Sequence, residues 1–197
     1  MNKITTLLFL FALTNLSAQR FNILSGKLSN LKGISEYNVT FDYSNQEVNG
    51  FETEEAFLNE KTDKRKGDAV NADQFKKDWF EDRESKYEPK FIESFNKRFK
   101  TGELKVDKNT KAKYTIIIKT TWIYPGYNVV VGAEPAKISA IITVVETLNQ
   151  NKSLLSIEFD KVIGLEQGQF DFDQGFRIAG AYEKLAKNFA MQLKRFL

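Results

Sequence analysis

Three acidic residues near the C-terminal end, Glu166, Asp171 and Asp173, have the types and spacing that could do chemistry. Two carboxylates flanking one bond supply the acid and the nucleophile or base of glycoside hydrolysis. Several carboxylate oxygens in one loop also suit a hard cation. The competing role is structural: Asp173 stands just before a helical pattern, where an Asp caps the first turn, and Arg177 is a nearby partner for its charge. Beyond these acids the catalytic inventory is thin. The chain has no histidine and no cysteine. That excludes Ser-His-Asp and Cys-His nucleophile systems, histidine bases and most zinc sites. Gly164-Leu-Glu-Gln-Gly168 lacks the neighbours of a nucleotide site, and there is no phosphate loop, dinucleotide fingerprint or nucleophile elbow. The chain reads as a protein with no catalytic residues, no cofactor and no metal site. A carboxylate-dependent glycan hydrolase is the enzyme alternative, and a carrier holding a small ligand between helices and sheet is a third reading.

The stronger functional pattern is aromatic. Trp122-Ile-Tyr-Pro-Gly-Tyr-Asn128 places large rings around a Pro-Gly turn. Such a turn makes a rigid platform for a sugar, a peptide or a partner protein, and loop aromatics are enriched at interfaces. Trp122, Tyr124, Tyr127 and Asn128 are the candidate binding residues. The competing role is aromatics at a strand end folding over the rim of the core. Val129, Val130 and Val131 extend the segment as an edge strand, open to strand addition.

These residues are positioned by a simple succession of elements. Tyr37, Val39, Phe41 and Tyr43 alternate with polar residues, the period of a half-buried strand. Residues 52–68 are charged and read as a solvated helix or a connection. From Asn71 to Phe99, Phe75, Trp79, Tyr87, Phe91, Phe95 and Phe99 recur at multiples of four and give one aromatic helical face. Pro89 inside this run either kinks one helix or opens a second. Three strands follow. In the first, Tyr114, Ile116, Ile118, Trp122 and Tyr124 share a face. In the second, Ile138, Ala140, Ile142 and Val144 do so, and in the third Leu155, Ile157, Phe159 and Ile163. Asn149-Gln-Asn-Lys152 reads as the hairpin turn between the last two. A final helix carries Phe176, Ala179, Tyr182, Leu185, Ala186, Phe189, Ala190, Leu193 and Phe196 on its apolar stripe. One-faced strands imply an antiparallel sheet with a wet side. The order β-α(α)-β-β-β-α thus predicts an α+β fold: a two-layer sandwich, mostly antiparallel, with helices on one face.

The first nineteen residues carry Lys3, a short apolar run from Leu7 to Leu13, and small residues at Ser17 and Ala18. This is the pattern of a cleaved secretory leader. The run is shorter than the roughly 20 residues that span a bilayer. Residues 20–197 are then one domain, placed in the periplasm or secreted, with no membrane span and no lipidation cysteine. With 29 basic and 26 acidic residues, the formal charge of +3 is too even to point to nucleic acid. The absence of disulfides favours a bacterial source.

Tyr114-Thr-Ile-Ile-Ile-Lys-Thr-Thr-Trp-Ile-Tyr-Pro-Gly-Tyr-Asn128, Pro135-Ala-Lys-Ile-Ser139 and Phe170-Asp-Phe-Asp-Gln-Gly-Phe-Arg-Ile-Ala-Gly-Ala-Tyr-Glu-Lys184 resemble uncharacterised secreted proteins of Gram-negative bacteria. The element order is also similar to small envelope modules such as the amino-terminal domain of TolB. These resemblances cover the second half of the chain and its topology. They imply a non-enzymatic role in the cell envelope, with an envelope protein or a glycan as partner, and carry over no catalytic residue.

Overall fold

The computed structural model describes residues 20–65, 67, 69–108, 111–129, 131–164 and 173–196. The expected leader, Glu166 and Asp171 lie outside the described residues. In chain order the elements are β1 (Phe21–Gly26), β2 (Glu36–Asp42), β3 (Glu47–Val48), α1 (Glu54–Asp63), α2 (Ala69–Asp82), α3 (Glu88–Asn96), β4 (Lys105–Asp107), β5 (Tyr114–Tyr124), β6 (Tyr127–Val129), β7 (Gly132–Glu134), β8 (Lys137–Glu146), β9 (Asn149–Ile163) and α4 (Gln174–Leu193).

One sheet runs in the order β1-β9-β8-β5-β2-β4, with β3 also paired to β5. The ladders β1–β9, β9–β8 and β8–β5 are antiparallel, whereas β2 runs parallel to both β4 and β5. The long strands are therefore antiparallel, as the one-faced patterns require. The parallel pairs arise because α1 to α3 intervene between β2 and β5, the long crossover a parallel neighbour needs.

The helices cover one face of the sheet. On that face Ile116 and Ile118 of β5 stand opposite Val144 and Ile142 of β8, and Ile142 and Val144 stand opposite Ile157 and Leu155 of β9. All are fully buried. α4 lays Ala179, Tyr182, Leu185, Ala186, Phe189 and Ala190 onto this layer. Phe189 meets Phe159 edge-on at 6.5 Å and Phe95 at 5.9 Å, which joins β9, α4 and α3 into one core. Phe176 and Phe196, placed on the apolar stripe by spacing alone, are instead exposed at the two ends of the helix.

α2 and α3 follow one another without a loop. A single π turn, Arg83–Tyr87, joins them, and the Glu88 N–H donates five residues back to the Arg83 carbonyl. Pro89, which has no N–H to give, follows at the start of α3. Pro89 thus opens the second helix at its first turn, where its missing N–H costs nothing, and the widened turn joins that helix to α2. The π turn also explains the strict period of four. Four residues advance an α-helix by about 400°, so the stripe slips ~40° per turn, and one inserted residue returns part of that slip. Trp79, Tyr87, Phe91 and Phe95 are consequently all buried.

One strand appears that the spacing does not mark: β1 is an edge strand whose six residues are all exposed. Two local expectations are corrected. The β8–β9 turn is Thr147-Leu148, because Glu146 pairs with Asn149. A bulge at Lys161, which takes φ 46°, turns Val162 inward and leaves Ile163 exposed.

Candidate binding site

The first strand of the predicted triplet does not keep one face. Thr120 pairs with Ala140, but the next partnered residue, Trp122, pairs with Ser139, so Thr121 is an extra residue. This bulge inverts the alternation beyond it. Ile123 becomes the buried residue opposite Ile138, and Trp122 and Tyr124 move to the helix-free face. They were expected beside Ile116 and Ile118; they stand instead on the open side of the sheet.

There the two rings lie near-parallel, with centroids 6.4 Å apart. The Lys161 ammonium sits 5.6 Å from the Trp122 ring centre, and that of Lys137 sits 5.2 Å from Tyr124. A cation over the face of a ring is held by the ring quadrupole. The Tyr124 hydroxyl donates to Glu134 Oε2 at 2.8 Å, and Lys137 Nζ donates to Oε1 of the same carboxylate at 2.6 Å. Partial desolvation and this acceptor push the Tyr124 phenol up to about 12, while Lys137 and Tyr124 together hold the Glu134 carboxyl below its ordinary value.

Beyond Tyr124 the chain turns through Pro125-Gly126 into β6, which among the described residues pairs only with β7. Gly126 takes φ 67°, and a Cβ there would lie 2.4 Å from the Glu134 carbonyl oxygen. Only glycine allows the two arms of the hairpin to cross this closely at their root. From the helix layer, Arg177 Nε donates to the Pro125 carbonyl at 3.2 Å and Nη2 to that of Gly126 at 3.4 Å. Tyr127 and Val129 share one side of β6 and are about half exposed; Val131 at the tip is 95 % exposed. Strand alternation puts Asn128, opposite Ala133, on the reverse side. The structure therefore brings Trp122, Tyr124 and Tyr127 to one end of the molecule and separates Asn128 from the Tyr127 side.

Asp173 has a structural role. Its carboxylate caps α4, accepting from the N–H groups of Gly175 at 2.7 Å and Phe176 at 3.2 Å, and Lys86 reaches it at 3.0 Å. Lys86 also pairs with Asp82 at 2.8 Å. Burial raises the Asp82 carboxyl against the pull of Lys86. For Asp173 burial also acts upward, but Lys86 and the cap hold the group below its ordinary value. A Cβ on Gly175 would lie 1.9 Å from Asp82 Oδ2, so α4 starts in direct contact with α2. Among the described residues no three acids converge as a metal site.

No family model, curated protein or solved structure matches this chain. Sequence reasoning missed Glu134, Lys137, Lys161 and Arg177, which hold the aromatic rim. Glu134 and Lys137, flanking Pro135 beside the aromatic turn, were the visible signal; Lys161 and Arg177 arrive from distant elements and leave none.

Proposed function

We propose that the protein is a non-enzymatic binding or assembly module of the bacterial cell envelope, periplasmic or secreted, which holds an envelope protein or glycan at the Trp122–Tyr127 rim. The observation that carries this reading is the β6–β7 hairpin. It pairs with no other strand among the described residues, its exposed side chains are apolar, and it adjoins a stacked Trp–Tyr pair. A free strand edge offers backbone donors and acceptors to an extended segment, and alternate side-chain sites select its sequence. Trp122, Tyr124 and Tyr127 supply apolar faces for the partner, and Lys137 and Lys161 favour an acidic group beside them. The secretory leader pattern and the missing nucleophile systems support the envelope setting and the non-enzymatic role.

Crosslinking in the intact envelope, followed by purification of the tagged protein and mass spectrometry, tests the reading. One enriched envelope component should be recovered, and it should be lost with Trp122→Ala/Tyr127→Ala, whose fold is checked by circular dichroism. Recovery unchanged by that variant would overturn the assignment of the surface.

A further inference from the structure

The even total charge conceals a segregation from one end of the sheet to the other. Arg177 fixes the start of α4 at the hairpin root, and the 20 residues of α4 then carry the chain ~30 Å to the far end. There α3 ends beside α4: Phe95 meets Phe189, and Lys194 stands 5.4 Å from the Phe99 ring. β4 begins there with Lys105 opposite Glu36. The β8–β9 turn arrives as well, its Thr147 N–H donating to the Lys113 carbonyl at 2.9 Å. Leu28 and Leu31 close the end by bordering a notch with Leu104, Leu193 and Phe196. The segments that meet here, 27–36, 97–105, 111–113, 146–152 and 194–195, hold eleven Lys and Arg against three Glu. The whole chain carries only +3, so everything outside this end is net acidic. All eleven cations except Arg98 are exposed. Lys27, Lys32, Lys97, Lys100 and Arg195 meet no carboxylate among the described residues. Two apolar side chains stand among them: Leu148 at the β8–β9 turn is fully exposed, and Phe196 is 39 % exposed.

We infer that this end docks on an anionic lipid bilayer, with its cations at the headgroup phosphates and Leu148 and Phe196 entering the interface. Clustered Lys and Arg are drawn to an anionic leaflet within about a Debye length, ~8 Å at physiological ionic strength. Apolar side chains beside such a cluster add binding that scales with the area buried and that salt does not screen. Nucleic acid is the other large polyanion, and the end suits it less. Stacked bases need a succession of exposed rings, and Phe196 is the one exposed ring here among the described residues. Nine of the eleven cations are lysines, point charges for phosphate, and only two are the arginines that read base edges. The notch holds about 10 Å³, space for about one water, so no acyl chain is swallowed and the contact is with a surface. Docking here uses no residue of the aromatic rim and leaves that rim ~30 Å away, at the other end of α4.

Co-sedimentation of the full chain with vesicles of phosphatidylcholine, with and without phosphatidylglycerol, tests this. The leader contributes equally to every variant compared. Phosphatidylglycerol should raise the affinity, and added salt should lower it again. Lys27→Gln/Lys100→Gln/Arg195→Gln, three exposed positions around this end, should weaken binding to the charged vesicles on the order of a hundredfold. Leu148→Ser should weaken it several-fold at every salt concentration. Lys64→Gln/Lys76→Gln/Lys77→Gln makes the same change in net charge at α1 and α2 and should have little effect. The rim variant Trp122→Ala/Tyr127→Ala should bind vesicles as the wild type does, so the two surfaces stand or fall separately. Circular dichroism checks the fold of each variant. The proposal is overturned by an affinity that gains nothing from phosphatidylglycerol, or by equal weakening from the two lysine triples. It is overturned too by loss of vesicle binding in the rim variant, which would put the lipid contact at the rim. Tighter binding of single-stranded DNA than of charged vesicles would assign the end to nucleic acid instead.

Discussion

Arg177 Nε donates to the carbonyl of Pro125 at 3.2 Å, a bond that ties the first turn of α4 to the root of the β6–β7 hairpin. The helix layer therefore holds the rim that the open sheet face displays. Lys at this position keeps the charge but has one donor group in place of a fork. Arg177→Lys should leave global stability nearly unchanged and speed amide hydrogen exchange in Tyr127–Val129 on the order of tenfold, since local opening then costs less. Exchange monitored residue by residue by NMR checks this.

Gly126 makes the second constraint on the same turn. An alanine there must carry φ 67° and place its Cβ 2.4 Å from a backbone oxygen. Strain of this kind costs about 1–3 kcal/mol before the clash is counted. Gly126→Ala should lower stability by at least ~2 kcal/mol in urea unfolding, with altered Tyr124 and Tyr127 resonances in the protein that remains folded. Wild-type stability would mean that the crossing does not require glycine.

Glu134 couples Tyr124 to Lys137. Glu134→Gln removes the charge that disfavours the phenolate, while the desolvation part of the shift stays. The Tyr124 ionisation should move down from about 12 toward the ordinary tyrosine value of about 10. Ring-carbon NMR of 13C-labelled tyrosine between pH 9 and 13 resolves this residue from the others.

How much of this was legible in the chain depends on how local each cause is. Ile138, Ala140, Ile142 and Val144 announce β8 because each is buried and the bulges opposite Ser139 sit on β5 and β9, so β8 itself keeps its alternation across them. Asp173 is readable as a cap because the cap bond spans only two to three residues. β1 is not readable: Phe21, Ile23 and Leu24 sit exposed on an edge, and the register shifts between Ile23 and Ser25. The meeting of Gln46, Trp79 and Arg83 at the Glu54 carboxylate is silent too, since Trp79 and Arg83 reach it from 25 and 29 residues away. Position along the chain carries no sign of such a meeting.

Asp173 gives a pH-dependent prediction. Its folded value lies below the ordinary aspartate value, so its contribution is present above about pH 4 and is lost as pH falls through the lower folded value. Asp82, raised by burial, has the opposite sign: its contribution is present at low pH and is lost as pH rises through its folded value. Asp173→Ala removes the cap and should cost about 1 kcal/mol at pH 7. In denaturant titrations at several pH values, the gap between wild type and variant should close toward pH 2. A gap that persists undiminished there would mean that the charge contributes nothing.

The bulge at Thr121 decides which way the candidate site faces. Thr120 and Thr121 are both β-branched and polar, so either could have been the extra residue, and neither marks the inversion in the sequence. Its consequence is nevertheless sharp. Deleting Thr121 places Trp122 directly after Thr120, opposite Ser139, so the ladder becomes regular while Trp122 and Tyr124 stay on the open face and Ile123 stays in the core. A regular ladder that kept Thr121 would instead turn the indole inward, where Tyr182, whose hydroxyl is bonded to Thr120, fills the buried interior. The deletion should therefore unfold cooperatively, with a loss of about 1 kcal/mol or less and Trp122 as exposed as in the wild type. Thr121→Val, which keeps the residue count, should fold with near wild-type stability and an unchanged Trp122 environment. Urea unfolding followed by tryptophan fluorescence checks both variants, and a deletion variant that lost cooperative unfolding or buried Trp122 would place the inversion elsewhere in β5.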